Sequence, residues 1–119
     1  MADVDRRKAG QASFERVLRF APPAGATTPL IDAAQDFVFA EVWNRPGLDT
    51  RSRRWITLAC VAAARAPVAI RAYVNAALDS GEINLEELRE FALQFAVFQG
   101  FPKAVEFEAI LNEVVAARN

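Results

Sequence analysis

Four arginines crowd into residues 43–54, WNRPGLDTRSRR, and guanidinium groups bind carboxylates and phosphates well because they donate two parallel hydrogen bonds. Arg51, Arg53 and Arg54 fall in the predicted first turn of a helix, where the helix dipole disfavours positive charge. Arg45 precedes the turn Asn-Arg-Pro-Gly. These charges therefore need acidic partners or an anionic ligand. The candidate acids are Asp36, Glu41 and Glu90. We favour structural ion pairs, within or between subunits, and binding of an anionic substrate is the alternative.

The chain has no histidine and one cysteine among its 119 residues. A Ser-His-Asp triad, a Cys-His dyad, a histidine zinc site and a histidine general base are therefore excluded. The cysteine, Cys60, cannot form an internal disulfide or a CxxC pair, and its apolar surroundings, ITLACVAAA, predict a small buried side chain. A reduced, cytoplasmic protein is the expectation.

Charge is unevenly distributed along a chain whose net charge is −1. Six arginines lie between Arg45 and Arg71 with only Asp49 against them, whereas glutamates dominate after Gly81. We therefore expect one part of the fold to present positive charge to an anionic small molecule, and no nucleic-acid partner, because no binding motif accompanies the short basic stretch. The scattered acids predict no metal site, and we expect no cofactor and no membrane association.

Helix signals punctuate the chain, and no segment shows sustained strand alternation. We predict an all-α fold of about six helices in one compact domain, with residues 1–28 as an N-terminal helix and linker and residues 29–119 as the main helical domain. The helices are expected at about 5–20, from Pro29 to about Trp43, after Asp49, from Pro67 to Gly81, from Asn84 to Gly100, and after Pro102.

Three of these boundaries rest on capping chemistry. Thr28 before Pro29 is an N-cap, Asn84 with Glu87 forms a capping box, and Gly81 supplies a left-handed C-terminus. Two apolar faces are also predicted: one of Ile31, Phe37, Val38 and Val42 in the second helix, and one of Leu85, Leu88, Phe91, Ala92, Phe95 and Phe98 in the fifth.

The order of three segments, from about residue 39 to 110, resembles the carboxymuconolactone decarboxylase family, which is related to the AhpD-like alkylhydroperoxidases. The segments are WNRPGLD with two arginines following, then AALDSG with two acids on the next helix, then FQGFPKA. The resemblance implies an AhpD-like helical bundle that assembles into trimers or hexamers, with active sites near subunit contacts.

The chain departs from that family where its chemistry is expected. The family's glutamate and the histidine four residues later fall on Ala69 and Tyr73, and a second histidine falls on Glu106. The thiols of the peroxidase branch would stand near Ala66 and Ala69, so a thiol peroxidase is excluded.

We therefore assign the catalytic roles of the resemblance to Tyr73 as hydrogen-bond donor or general acid, and to Glu106 or Glu41 as base if burial raises its pKa. Arg45, Arg51, Arg53 and Trp43 would bind the substrate. The structural alternatives are a core aromatic for Tyr73 and a solvated surface acid for Glu106.

Two functions follow from these residues. The first is a small-molecule lyase or isomerase that acts, without histidine, on a lactone or related cyclic carbonyl compound. The alternative is a non-catalytic ligand-binding or assembly protein of the same fold.

Overall fold

The computed structural model describes residues 3–119, and all regular structure in that range is helical. This confirms the all-α prediction. The elements are α1 (Asp3–Leu18), α2 (Pro29–Ala33), a π-helix (Ala34–Phe39), a 3₁₀ turn (Val42–Asn44), α3 (Thr50–Ala63), α4 (Pro67–Ser80), α5 (Leu85–Gln99) and α6 (Phe101–Arg118). None of the helices within residues 3–119 combines the length and the apolar content needed to cross a bilayer.

The chain divides into two compact units, which we call the N-terminal unit (Met1–Thr50) and the C-terminal unit (Arg51–Asn119). In the N-terminal unit α1 packs against the π-helix. Val17, Leu18, Phe39 and Trp43 are buried there. The predicted division at residues 28 and 29 stays a prediction.

The predicted single helix from Pro29 to Trp43 is instead three short segments. Ala40 N donates to the carbonyl oxygen of Gln35, five residues earlier, at 3.0 Å, which is the bond of a π turn. The wider turn changes which side chains face inward. Gln35 and Phe39 are buried, whereas Ile31, Phe37 and Val38 are exposed, so the apolar face predicted for this segment is wrong.

The C-terminal unit has a contiguous apolar core formed by α3 to α6. Its fully buried side chains include Leu58, Ile70, Leu88, Phe107 and Leu111. The capping box of α5 is present, with Glu87 N donating to Asn84 Oδ1 at 2.8 Å and Asn84 N donating to Glu87 Oε1 at 3.1 Å. Gly81 ends α4 with a φ of 74°, so both capping predictions are confirmed.

Two residues predicted to be buried in this unit are exposed. Cys60 is exposed because the buried stripe of α3 is Arg54, Leu58 and Ala62, and two residues beyond Leu58 a helix turns by about 200°. Phe98 is 77% exposed, although Phe95 in the same helix is buried. The Cys60 prediction took apolar composition as evidence of burial, and composition does not say which side of a helix a residue occupies. The Phe98 prediction extended the apolar strip of α5 beyond Phe95 and Ala96, the last buried residues of that helix.

Candidate functional site

Arg51, in the first turn of α3, is bound by the start of α5 and the loop before it. Its Nε donates to the backbone oxygen of Glu82 at 2.9 Å, and its Nη2 forms an ion pair with the carboxylate of Glu87. The guanidinium carbon also lies 5.8 Å from the ring centroid of Trp55, within the range of a cation–π contact. Asp36 and Glu41, two of the acids predicted as partners of the cluster, pair with Arg7 and Arg6.

Arg54 lies one turn further along α3 and is only 2% exposed. Its Nε donates to Glu82 Oε1 at 2.9 Å. Removing a guanidinium from water costs several kcal/mol, by order of magnitude, unless an acid and further hydrogen bonds compensate its charge. Glu82 supplies that acid, and it therefore holds Arg51 with its backbone and Arg54 with its side chain.

Tyr73 is half-buried on α4 and packs against the core of the C-terminal unit. Burial raises the pKa of its phenol above the usual value of 10, while the positive charge of Arg54 acts in the opposite direction. The net result is a phenol that stays protonated near neutral pH. Tyr73 can therefore donate a hydrogen bond or a proton, and the positive charge of Arg54 would stabilise its phenolate.

Glu106 lies on the exposed part of α6 and is held by Arg65, whose Nε donates to Glu106 Oε2 at 2.7 Å and whose Nη2 pairs with Oε1. These hydrogen bonds lower the pKa of the Glu106 carboxyl. A general base at this position needed a raised pKa, so the condition attached to Glu106 is not met. The surroundings of Glu106 are those of the structural alternative, a solvated surface acid.

The other predicted site residues are divided between the two units. Glu41, Trp43 and Arg45 belong to the N-terminal unit, where Glu41 pairs with Arg6 at 3.1 Å and Trp43 is buried and stacked on Phe39. Arg45 follows the 3₁₀ turn and is exposed. Arg51, Arg53, Tyr73 and Glu106 belong to the C-terminal unit, and Arg53 is half-buried beside Arg54.

An open groove of about 850 Å³ adjoins Arg51 in the C-terminal unit. Its apolar part is the pair Trp55 and Phe91, whose rings stack 5.6 Å apart at 23°. The rest of the lining consists of positively charged, negatively charged and amide side chains, including Arg89, Glu90 and Gln94. The groove combines an aromatic surface with one arginine of the cluster that our site prediction contained.

Arg54 is the residue that the site prediction missed. It was recognised as part of the arginine cluster, but it was not placed in the site. Leu58 and Ala62 follow Arg54 by four and eight residues, so the three share the buried stripe of α3. This spacing is the signal in the sequence that distinguishes Arg54 from the other arginines of the cluster.

Residues 29–113 match the profile of the carboxymuconolactone decarboxylase family. The matched segment is more than half of the chain. This protein belongs to that family. The match confirms the resemblance that the three sequence segments indicated. For this carboxymuconolactone decarboxylase family member, the resemblance places the family's histidines at Tyr73 and Glu106. Their environments differ, because Tyr73 is half-buried and feels the charge of the buried Arg54, whereas Glu106 lies in a surface ion pair.

Two relatives carry names that describe decarboxylation. The family member is 29% identical over 106 residues to a nitrosuccinic acid decarboxylase of Metarhizium robertsii, which is 89% of this chain and 72% of that protein. It is 32% identical over 66 residues to the 4-carboxymuconolactone decarboxylase of Acinetobacter baylyi, which is 56% of this chain and 48% of that protein. The match thus spans about half the length of the second relative. A decarboxylase-like function is supported at the level of the family.

Proposed function

We propose that this protein is a histidine-free lyase that removes carbon dioxide from a small anionic carboxylic acid. The observation that carries the proposal is the buried Arg54, held by Glu82, whose positive charge acts on the half-buried Tyr73. Both residues belong to the C-terminal unit, so their proximity is a property of one compact unit.

The reaction requires stabilisation of a developing negative charge and donation of one proton, and these residues can supply both. When the bond between the substrate carbon and its carboxylate breaks, carbon dioxide leaves and the electron pair moves into an adjacent electron-withdrawing group. Arg54 would stabilise the negative charge that develops there. Tyr73 would then give its phenolic proton to the substrate carbon or oxygen, and water would restore that proton.

The charge of Arg54 favours the transient phenolate of Tyr73, while burial keeps the phenol protonated in the resting state. This combination suits a general acid better than a base. It replaces the proton transfer that a histidine would perform, and it needs no raised carboxyl pKa.

The substrate class follows from the charge of the site and from the relatives. A carboxylated lactone remains our cyclic candidate, and 4-carboxymuconolactone is the compound named for one relative. The other relative is named for nitrosuccinic acid, an open-chain acid whose nitro group can also accept the electron pair. Both are small carboxylates with an electron-withdrawing group close to the carboxyl that leaves.

The test is the release of carbon dioxide from each of these two acids by the purified protein, measured against the rate without protein. We expect one acid to be decarboxylated, and Tyr73→Phe to lower kcat by about 10²- to 10⁴-fold with a smaller effect on KM, because it removes only the proton donor. Arg71→Gln is the control, since Arg71 lies in an exposed ion pair with Glu113.

Two outcomes contradict the proposal. If neither acid is turned over, the non-catalytic alternative of a ligand-binding or assembly protein is favoured. If Tyr73→Phe is as active as the unmodified chain, Tyr73 is not the acid.

Assembly into a homo-oligomer is part of the proposal, because the family resemblance implies trimers or hexamers. The support from this chain is an exposed apolar surface at the α5–α6 junction, which we call the junction patch. Its members are Leu93, Val97, Phe98, Phe101 and Val105, each at least 59% exposed. Exposed apolar surfaces of this kind are typical of protein interfaces.

A further inference from the structure

The N-terminal unit contains a second cavity, of about 320 Å³, which none of the residues proposed for decarboxylation line. Its walls are mainly apolar: Phe14, Phe20, Pro23, Ile31 and Phe39. Phe14 meets Phe20 edge-on, with centroids 5.3 Å apart at 89°, and meets Phe39 at 5.1 Å and 63°. An aromatic wall of this kind receives a flat ring through edge-to-face contacts.

Three polar residues interrupt this apolar lining: Thr27, Thr28 and Gln35. The hydroxyl of Thr27 donates to Asp32 and that of Thr28 accepts from Ile31 N, so both threonines have partners within the chain. Gln35 lines the cavity and is only 4% exposed, and its Oε1 is buried without a hydrogen-bond partner among the described residues. Ser13, another buried polar residue of this unit, is satisfied, since it accepts from Asn44 Nδ2 at 2.7 Å. Buried acceptors are usually paired, so the amide oxygen of Gln35 is available to a hydrogen-bond donor from outside the chain.

The backbone around Gln35, and not only its side-chain rotamer, places this residue inside the N-terminal unit. Gln35 lies in the π-helix, and short π segments of this kind often occur at functional sites. Its backbone is approached so closely by α1 that a Cβ at Gly10 would lie 2.1 Å from the Gln35 carbonyl oxygen. The glycine thus lets α1 and the π-helix meet, and their meeting keeps the glutamine inside the unit.

We propose that this cavity binds a small, neutral, aromatic molecule that carries one hydrogen-bond donor, with Gln35 Oε1 as the acceptor. The volume supports a two-ring compound, because an apolar cavity of about 150 Å³ takes benzene and this one is roughly twice as large. None of the described residues that line the cavity is charged, which favours a neutral ligand, whereas the proposed decarboxylase substrate is an anion.

Indole and benzofuran test the proposal on the unmodified full chain, because the two bicyclic molecules have nearly the same shape and only indole carries an N–H donor. Each would be titrated into isotope-labelled protein and followed by backbone amide chemical shifts. We expect indole to bind at least about fivefold more tightly than benzofuran, which is the usual effect of one hydrogen bond to a neutral group. The shifts should concentrate at Phe14, Gln35 and Phe39.

Gln35→Leu keeps the approximate size of the side chain and removes the amide. We expect this variant to bind indole and benzofuran equally, with benzofuran bound no more weakly than before. Gln11→Leu is the matched control, since Gln11 is exposed on α1 of the same unit, and it should retain the preference for indole. Ala34→Leu, which fills the cavity, should abolish binding of both molecules.

The proposal is overturned if neither molecule binds, if both bind the unmodified chain equally, or if the preference for indole survives in Gln35→Leu. Shifts confined to the C-terminal unit would also overturn it. None of these results bears on decarboxylation, which is measured with different compounds and different variants.

Discussion

Arg54 and Arg51 are three residues apart in the same helix, and their environments differ because one faces the core and the other faces the groove. Arg51 is exposed and lies on an aromatic ring, and Arg54 is 2% exposed and bound to Glu82. The exposed pair contributes little to stability, since water screens it. The buried guanidinium is the one whose field reaches Tyr73, and the proposed chemistry depends on that field.

Tyr73 should titrate at higher pH than a free tyrosine, because burial disfavours its phenolate. It is the only tyrosine of the chain, so the phenolate absorbance in the near ultraviolet reports this group alone. We expect the folded protein to show a midpoint above 10. The folded state then holds its proton at pH values where the unfolded chain has lost it, so the free energy of unfolding should fall as the pH rises past 10.

Urea unfolding at several alkaline pH values measures that slope, and Tyr73→Phe is the control that should remove this contribution. A midpoint at or below 10 in the folded protein would show that the phenol is solvated or that Arg54 dominates. In that case the half-buried environment described for Tyr73, on which the proposed reaction depends, would be wrong.

At the scale of elements, the π-helix is where the local pattern and the tertiary packing disagree. A regular helix through residues 29–43 would have gathered Ile31, Phe37 and Val38 on one side. The observed segment instead buries Gln35 and Phe39, and Arg7 of α1 binds Asp36 through two hydrogen bonds of 2.6 and 2.9 Å. Contacts with α1 are therefore the physical reason for the register of this segment.

Gly10→Ala should destabilise the N-terminal unit by about 1–3 kcal/mol, although alanine is the better helix former. The added Cβ would lie 2.1 Å from a backbone oxygen of the π-helix, so α1 would have to move away from it. Gly47→Ala is the matched control, because a Cβ there meets nothing within 4 Å, and we expect it to change stability by less than about 0.5 kcal/mol.

The free energy of unfolding from urea titrations compares these two variants. Equal effects of the two substitutions would mean that α1 does not approach the π-helix as closely as described. The placement of Gln35 in the cavity would then lose its support.

At the scale of the whole molecule, the junction patch is the feature that a separate subunit would leave in water. Leu93, Phe101 and Val105 line one shallow groove between α5 and α6, so these three members of the patch lie together. Several large apolar side chains in one place are unusual for a surface that faces only solvent. The proposed homo-oligomer would cover them.

Val97→Glu should therefore reduce the mass of the assembly in solution, because the substitution places a charge within the patch. Val68→Glu is the matched control, since Val68 is 84% exposed at the start of α4, whereas the patch lies on α5 and α6. Sedimentation or light scattering at a fixed protein concentration measures the mass. An unchanged mass for Val97→Glu, or an equal fall for both variants, would remove the patch from the proposed interface.

The sequence by itself determined the helical class, most helix ends and the family. The capping box at Asn84 and Glu87 and the left-handed Gly81 could be predicted because each depends on residues within a few positions of one another. The family could be predicted from the order of short segments, which is also a property of the linear chain.

The tertiary structure decided which of the candidate residues have an environment suited to chemistry. Arg54 is paired with Glu82, 28 residues away, and Glu106 is paired with Arg65, 41 residues away. Gln35 lies in the π-helix where α1 packs closely against it. Burial and charge pairing act through space, and they decide the pKa values of side chains and which buried acceptors lack a hydrogen-bond donor. No spacing along the chain carries that information.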